Sequence, residues 1–418
     1  MSTPQLRDAS DERHPSSPAC GSRADDLDKQ KKAAEIIAKV RAVATEAARR
    51  ADEIDEARAM PADLFDALVA TDVLRSLTPK EYDGFDLPLS CVCEAIIEAA
   101  RGNGSLGWLL LVTSPSMLGA GIQKKHITDM LLKGHTNVRN RGLFAPKGIA
   151  VPTEGGYRIS GQWAFASGGP NPNFISGNCI VFENGKPRIG PDGVPDMLIA
   201  MMNANEVEPL DTWHVLGLRG TDSRDYRARD VFVPEDRCVN IFTVENRFDT
   251  LPARLPIRVL LSTSHCALAI GIALGALDDI IELSKTKRHA MDPKSVLADD
   301  PVFRHNLGEQ TLRVTACKAM LDQVTADALK YGAENEKLPP KEALIGRTMS
   351  AYITAECVKL VDWAYTAGGS ASVYNNSSLQ RRLRDIHVAT QHASCHTEPY
   401  RSLAAIMLGE ELSPMELF

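Results

Sequence analysis

Basic charge is in deficit along this 418-residue chain, with 47 Lys and Arg against 54 Asp and Glu. No basic block gathers that could neutralise a run of phosphates, which argues against a nucleic-acid partner. The cluster Lys29-Gln30-Lys31-Lys32 is short and sits beside acids. The first 26 residues have no apolar core, so no signal peptide is expected, and they are read as disordered. The nine cysteines, an odd number, have no spaced framework. Reduced thiols in a cytoplasmic protein are the simplest account. Internal repeats are absent too.

Several catalytic signatures are missing. No G-x-G-x-x-G follows a strand and opens a helix, so a doubly wound nicotinamide domain is not expected. The glycines around Arg219, in Gly217-Leu218-Arg219-Gly220-Thr221, resemble a phosphate-cradling turn but lack the Gly-Lys-Ser/Thr ending of a P-loop. Phe165-Ala166-Ser167-Gly168-Gly169 is not a G-x-S-x-G nucleophile elbow. His392, Cys395 and His396 form an H-x-x-C-H cluster and Cys91 and Cys93 a second pair, without a fourth ligand, so no metal is expected.

Two long uncharged runs need explaining. Leu106–Ile122 is interrupted by Ser114-Pro115-Ser116, Gly119 and Gly121, and reads as a buried helix with a kink or stop rather than a membrane span. Val259–Leu277 carries the polar group Ser262-Thr263-Ser264-His265, and its Gly271 and Gly275 permit close helix packing. An interior bundle helix is expected there, and no membrane partner.

What remains is an α+β pattern, mainly α. A tail over 1–30 precedes a helical domain over 31–138, with apolar residues at spacings of three and four. A central antiparallel β-domain follows over 139–245, where short β-branched and aromatic runs alternate with turn pairs such as Gly155-Gly156, Asn184-Gly185 and Asp192-Gly193. Helices resume over 246–418. A cleft where the three units meet is the natural cofactor site.

Two segments carry candidate chemistry. Ser167, followed by two glycines, presents a hydroxyl that donates and accepts, and the glycines let backbone approach a flat ligand; the same serine could equally do no more than cap a turn. In Arg381–His396, a helix through Gln391 puts Arg381, Asp385, Val388 and His392 near one stripe. His392 is then either a pocket-facing imidazole or a packed surface one.

The segments GGYRISGQWAFASG, GLRGTDSRDYRARDVFVP and AGGSASVYNNSSLQRRLRDIHVATQH, with GNGSLGW before them, occur here in an order and separation that resemble the acyl-CoA dehydrogenase superfamily over about residues 35 to 410. Within it the chain is similar to the flavin-dependent monooxygenases that use this fold, such as the oxygenase component of p-hydroxyphenylacetate hydroxylase and the dibenzothiophene monooxygenases. Many dehydrogenases of the family place a glutamate base where this chain has Ala393, eight positions after Asp385, although some keep it on another helix. The monooxygenases have a histidine at the seventh position, here His392.

The resemblance implies a C-terminal four-helix bundle, a homotetramer, and reduced flavin, FADH2 or FMNH2, delivered by a separate flavin reductase. The flavin would react with O2 to give a C4a-hydroperoxyflavin that hydroxylates a small aromatic or heteroaromatic substrate, indole-type or phenolic. Ser167 corresponds to the serine facing flavin N5, and His392 to the histidine near the peroxide. Trp163, Phe165, Gly168 and Gly169 are expected to line the ring, the two aromatics being alternatively sheet core. Arg288, Gly368 and Gly369 are expected at the flavin phosphate and adenine, contributed across a subunit boundary. Where several relatives carry a histidine on the N-terminal helix, this chain has Trp108, Leu109, Leu110, Leu111, Val112 and Thr113. Trp108, Leu111 and Thr113 are therefore expected to form an apolar substrate wall without a phenol-activating base. The alternative activity is an acyl-CoA dehydrogenase or oxidase with tightly bound FAD.

Overall fold

The computed structural model describes residues 23–134, 139–190, 193–240, 244–288, 294–334 and 338–412. Six helices come first: α1 (Arg23–Arg49), α2 (Ala51–Ala57), α3 (Ala62–Val69), α4 (Leu89–Gly102), α5 (Gly104–Gly119) and α6 (Lys125–Leu132). Helix α1 starts inside the stretch expected as a disordered tail, whose residues 1–22 lie outside the described residues. Asp25 and Asp26 stand in its first turn, where the exposed amide ends favour negative charge. Ile36, Val40, Ala44 and Ala47 then supply a buried stripe at helical spacing. Asn103 separates α4 from α5 and caps the latter, its side chain accepting from the Leu106 amide at 3.1 Å.

Helix α5 runs through Ser114-Pro115-Ser116 and stops at Gly119. The other apolar run lies in α7 (Ile257–Ser284). Both helices are long and apolar enough to cross a membrane, but most of the residues concerned are buried inside the protein. Helix α7 packs between α4 and α9 (Pro340–Gly368). Gly271 makes that approach possible, since a Cβ there would stand 2.5 Å from the Ile97 carbonyl oxygen of α4. Helices α8 (Pro301–Ala333), α10 (Ser378–Ala389) and α11 (Pro399–Met407) complete the C-terminal bundle.

Between the helical blocks lie β1 (Asn140–Thr153), β2 (Gly156–Trp163), β3 (Phe174–Glu183), β4 (Lys186–Pro187), β5 (Met197–Asn203), β6 (Glu208–Pro209), β7 (Tyr226–Pro234) and β8 (Cys238–Val239). They form one sheet in the order β6-β7-β2-β1-β3-β5-β8, with β4 paired to β3. The sheet is mixed rather than wholly antiparallel, because β1 and β3 run parallel. The reason is topological. Strand β3 lies on the far side of β1 from β2, so the chain leaving Trp163 must cross the end of β1 before re-entering the sheet at Phe174. That crossover, residues 164–173, contains Ser167, and the fold thereby sets it at the sheet end against the helices.

Candidate functional site

The crossover leaves the sheet with an abrupt change of backbone direction. Phe165 takes a left-handed conformation with φ 60°, uncommon for an aromatic residue, and the Ser167 amide donates back to the Phe165 carbonyl at 2.8 Å. The Phe165 ring is 61% exposed and meets Trp213 edge-on at 6.1 Å. Ser167 Oγ lies in a row of polar groups: it accepts from Trp108 Nε1 of α5 at 3.1 Å and bonds Ser223 Oγ at 2.6 Å, and Ser223 bonds Thr221 Oγ1 at 2.8 Å. The indole N–H can only donate, so one lone pair of Ser167 is committed to it.

Trp108 links this serine to the C-terminal helices. Its ring stands edge-on to His392 at 5.5 Å and to His265 of α7 at 6.0 Å, and the two imidazoles stack 5.3 Å apart at 13°. His392 is not part of α10. That helix ends at Ala389, and His392 caps the next short turn with Nδ1 accepting from the Ser394 amide at 3.2 Å. The continuous helix expected through Gln391 is therefore corrected. The imidazole reaches the site from a turn, and the shared stripe with Asp385 does not extend to it. An amide N–H can only donate, so Nδ1 is bare and the neutral ring carries its proton on Nε2. Burial holds its pKa below the usual histidine range, with His396 adding to the effect.

His265, which the sequence flagged only as a polar interruption of an apolar run, is fully buried. Burial first, and the nearby His392 second, push its pKa down to about 3. One ring nitrogen, Nε2, lies 2.9 Å from Cys395 Sγ; the other, Nδ1, has no partner. Cys395 thus meets His265 rather than joining His392 and His396 in a cluster. Burial keeps this thiol protonated, with a pKa of about 11.

Other expected residues fall elsewhere. Trp163 does not border the site. It is fully buried in the sheet, stacked on Tyr226 at 5.1 Å and 11°, with Nε1 donating to the Asn178 carbonyl at 2.9 Å. Its side chain belongs to the β-domain core, the second of the two places expected for it. Leu111 is buried in the helical core, and Thr113 gives its hydroxyl to the Leu109 carbonyl at 2.6 Å, so of the three expected wall residues only Trp108 meets Ser167 and His392. Gly168 and Gly169 give room to protein neighbours: a Cβ on Gly168, at φ 155°, would stand 2.7 Å from Arg141 Cγ, and one on Gly169 2.4 Å from the Phe65 ring. Arg288 is exposed and paired in a bridge with Val296. Its neighbour Lys287 donates to the Ala367 and Gly368 carbonyls at 2.9 and 2.6 Å, beside the left-handed Gly369 (φ 53°), so the two expected phosphate and adenine segments are adjacent.

Sequence reasoning also missed Arg141. Its side chain is only 7% exposed, and it holds the Ser167 crossover to the Gly220–Asp222 turn. Nε donates to the Gly169 carbonyl at 2.9 Å, and the Asp222 carboxylate lies 3.1 Å away. Nearby, Asp385 accepts from the Leu218 amide at 2.6 Å, tying the same turn to α10. A serine, two neutral imidazoles, a thiol and an indole thus converge where the β-domain meets α5 and α7. Among the described residues, no carboxylate hydrogen-bonds Trp108, Ser167, His265 or His392.

A helical block, a mixed sheet and a second helical block thus meet at one junction. Residues 30–133 match the acyl-CoA dehydrogenase N-terminal domain and residues 263–397 the acyl-CoA dehydrogenase C-terminal domain. The chain belongs to the acyl-CoA dehydrogenase family. Among full-length relatives, it is 25% identical over 368 residues to the flavin-dependent monooxygenase oxygenase subunit HsaA of Rhodococcus jostii, covering 86% of this chain and 94% of the relative. It is also 25% identical over 365 residues to indole-3-acetate monooxygenase of Pseudomonas putida, covering 87% and 91%. The solved structure of XiaF from Streptomyces in complex with FADH2 and glycerol superposes with a TM-score of 0.83 at 21% identity, over 93% of this chain and 98% of that one.

Proposed function

We propose that this chain is the oxygenase component of a two-component flavin-dependent monooxygenase. It takes reduced flavin, FADH2 or FMNH2, from a separate reductase and uses O2 to hydroxylate a small aromatic substrate. One observation carries the reading. The Ser167 hydroxyl and the His392 imidazole, on units far apart in sequence, are both held by the same Trp108 ring.

The residues present suit a flavin. Phe165 offers an exposed apolar ring beside Trp213, a surface that water disfavours and an isoalloxazine would cover. Reduced flavin, when bound, supplies the electrons that activate O2. The protein's contribution is positional and electrostatic. Ser167 has one lone pair committed to Trp108 and its other valences available to Ser223 and to the ring edge. His392 presents Nε2–H as a neutral donor toward an oxygen atom, and it stays neutral because its backbone bond and its burial both oppose protonation. Trp108 closes the space between them against water, which would otherwise divert the oxidant.

The alternative, an acyl-CoA dehydrogenase or oxidase, needs a carboxylate base at this edge. Ala393 stands in the expected position, and the neutral contacts around Trp108 favour the monooxygenase. Exposed apolar side chains, Leu312 on α8, Met407 at the end of α11 and Leu408 just beyond it, support the homotetramer that the family resemblance implies. Eight cysteines, all free among the described residues, suit a cytoplasmic location.

The test is single-turnover mixing of the protein and reduced FMN or FAD with oxygen and a panel of phenols and indoles, measuring hydroxylated product against hydrogen peroxide released. Ser167→Ala and His392→Ala should each lower the product-to-peroxide ratio about tenfold, the worth of one hydrogen bond. Unchanged ratios in both variants, or bleaching of a bound FAD by acyl-CoA without product from any aromatic, would overturn the reading.

A further inference from the structure

The turn that follows Gly217 is held in a shape that packing alone does not require. Leu218 and Asp222 are both left-handed, with φ 51° and 48°, a conformation costly for any residue with a side chain and kept only where the surroundings enforce it. The turn carries two hydroxyls, on Thr221 and Ser223, each residue 2% exposed. They bond each other at 2.8 Å, and Ser223 Oγ goes on to Ser167 Oγ at 2.6 Å. Two apolar side chains would fill the same space with no polar atoms to satisfy. The row instead ends at Ser167, which is only half-buried and so within reach of a ligand.

Trp108 limits what Ser167 has left to offer. A hydroxyl has one proton and two lone pairs, and the indole N–H, which can only donate, takes one lone pair. One proton and one lone pair remain for two neighbours, Ser223 and the ligand that meets Ser167. If the proton goes to Ser223, the ligand meets a lone pair; if Ser223 donates, the ligand meets the proton. Either direction suits the row, because each hydroxyl both donates and accepts. At the far end Thr221 lines a cleft of about 170 Å³ with Arg141 and Asp222, so the row ends beside a polar space rather than in apolar core.

We propose that Ser223, backed by Thr221, is a positioning residue that draws the Ser167 proton away from the flavin edge, so that Ser167 accepts from the N–H that reduced flavin carries at N5 and oxidised flavin lacks. The inference rests on the reading that Ser167 meets N5, and deepens it. With oxidised flavin the row turns round: the bare N5 accepts, and Ser167 donates to it without needing Ser223. Hydroxyls rotate, and no bond to hydrogen breaks. Ser223 therefore adds to the affinity for reduced flavin and not for oxidised, which suits a protein that takes up its flavin reduced and releases it oxidised.

The experiment uses the full chain without oxygen and measures binding rather than turnover. Dissociation constants for FMN and FAD, each oxidised and dithionite-reduced, are taken from anaerobic titrations of the wild type and its variants. Ser167→Ala should weaken both forms, since it removes the acceptor and the donor alike. Ser223→Ala should weaken the reduced form about tenfold, the value of one neutral hydrogen bond, and change the oxidised form by less than about twofold. The midpoint potential of the bound flavin then falls by about 30 mV, the two-electron equivalent of tenfold. Thr221→Val should weaken the reduced form about threefold, and Thr221→Ser, which keeps the hydroxyl, should restore it. If Ser223→Ala does not fold, the Thr221 pair decides. Equal weakening of both forms, as a loss of packing would give, or an unchanged reduced-form constant overturns the proposal, while an effect of Ser167→Ala in the same series leaves the flavin reading standing. Binding of neither form to the wild type, or Ser167→Ala without effect, overturns both.

Discussion

Asp385→Asn tests how the site is braced. Asp385 is 5% exposed, its Oδ1 accepts from the Leu218 amide at 2.6 Å, and a Cβ on Gly104 would come within 2.6 Å of Oδ2. Burial raises its pKa from 3.8 to about 6, opposed by the Leu218 amide bond and the charges of Arg384 and Arg381, and reinforced by Asp55. A carboxyl whose folded pKa lies above its unfolded one favours the folded state fully below the unfolded value. That contribution is lost as pH rises through the folded value. At 1.36 kcal/mol per unit, the step from 3.8 to about 6 is worth about 3 kcal/mol. Asparagine keeps the acceptor and the size but carries no charge. The variant should match the wild type near pH 4 and exceed it by up to about 3 kcal/mol at pH 7.5. Urea unfolding midpoints at several pH values read the difference directly. A variant less stable than the wild type at pH 7.5 would refute the reasoning, because it would mean that the arginines favour the buried charge by more than its desolvation costs.

Two further substitutions separate the packed residues from the site. Arg141→Met removes the donor to the Gly169 carbonyl and one of the two arginines on Asp222, which keeps Arg224 at 2.7 Å, and should cost about 1–3 kcal/mol in urea unfolding; a loss below about 0.5 kcal/mol would show these contacts to be dispensable. Phe165→Ala, at an exposed position, should leave stability within about 0.5 kcal/mol while weakening reduced-flavin binding about tenfold. Trp163→Phe should do the reverse, losing about 1–3 kcal/mol of stability through the Asn178 carbonyl with flavin affinity unchanged. Flavin titrations of the two variants check the contrast.

The domain order and the Ser167 turn could be read from the chain because local signals agreed there: helical spacing, turn glycines and β-branched runs. Trp163 and Phe165 show where such reading stops. Two residues apart in a strand they would share a face, but the strand ends at Trp163 and Phe165 takes a left-handed backbone, so one becomes core and the other surface. The end of α10 was hidden for a similar reason. Nothing in Thr390-Gln391 stops a helix; the stop comes from the His392 ring capping the next turn, a contact made by the folded chain. Arg141 gave no signal in the sequence, since a charged residue is usually solvated, and the parallel pairing of β1 and β3 depends on which side of β1 the crossover returns. His265 left a signal, a histidine in an apolar run, but its partner Cys395 is 130 residues away.

The claim that most depends on placement is that the Ser167 hydroxyl and the His392 imidazole address one edge of a bound flavin. A crystal structure of the protein with reduced FMN or FAD, grown without oxygen, measures this directly. The account predicts the isoalloxazine against Phe165, its central nitrogen within hydrogen-bonding reach of Ser167 Oγ, and His392 over the same edge with Trp108 between. A flavin bound elsewhere, or one that turns its other edge to Ser167 and lies away from His392, would contradict it.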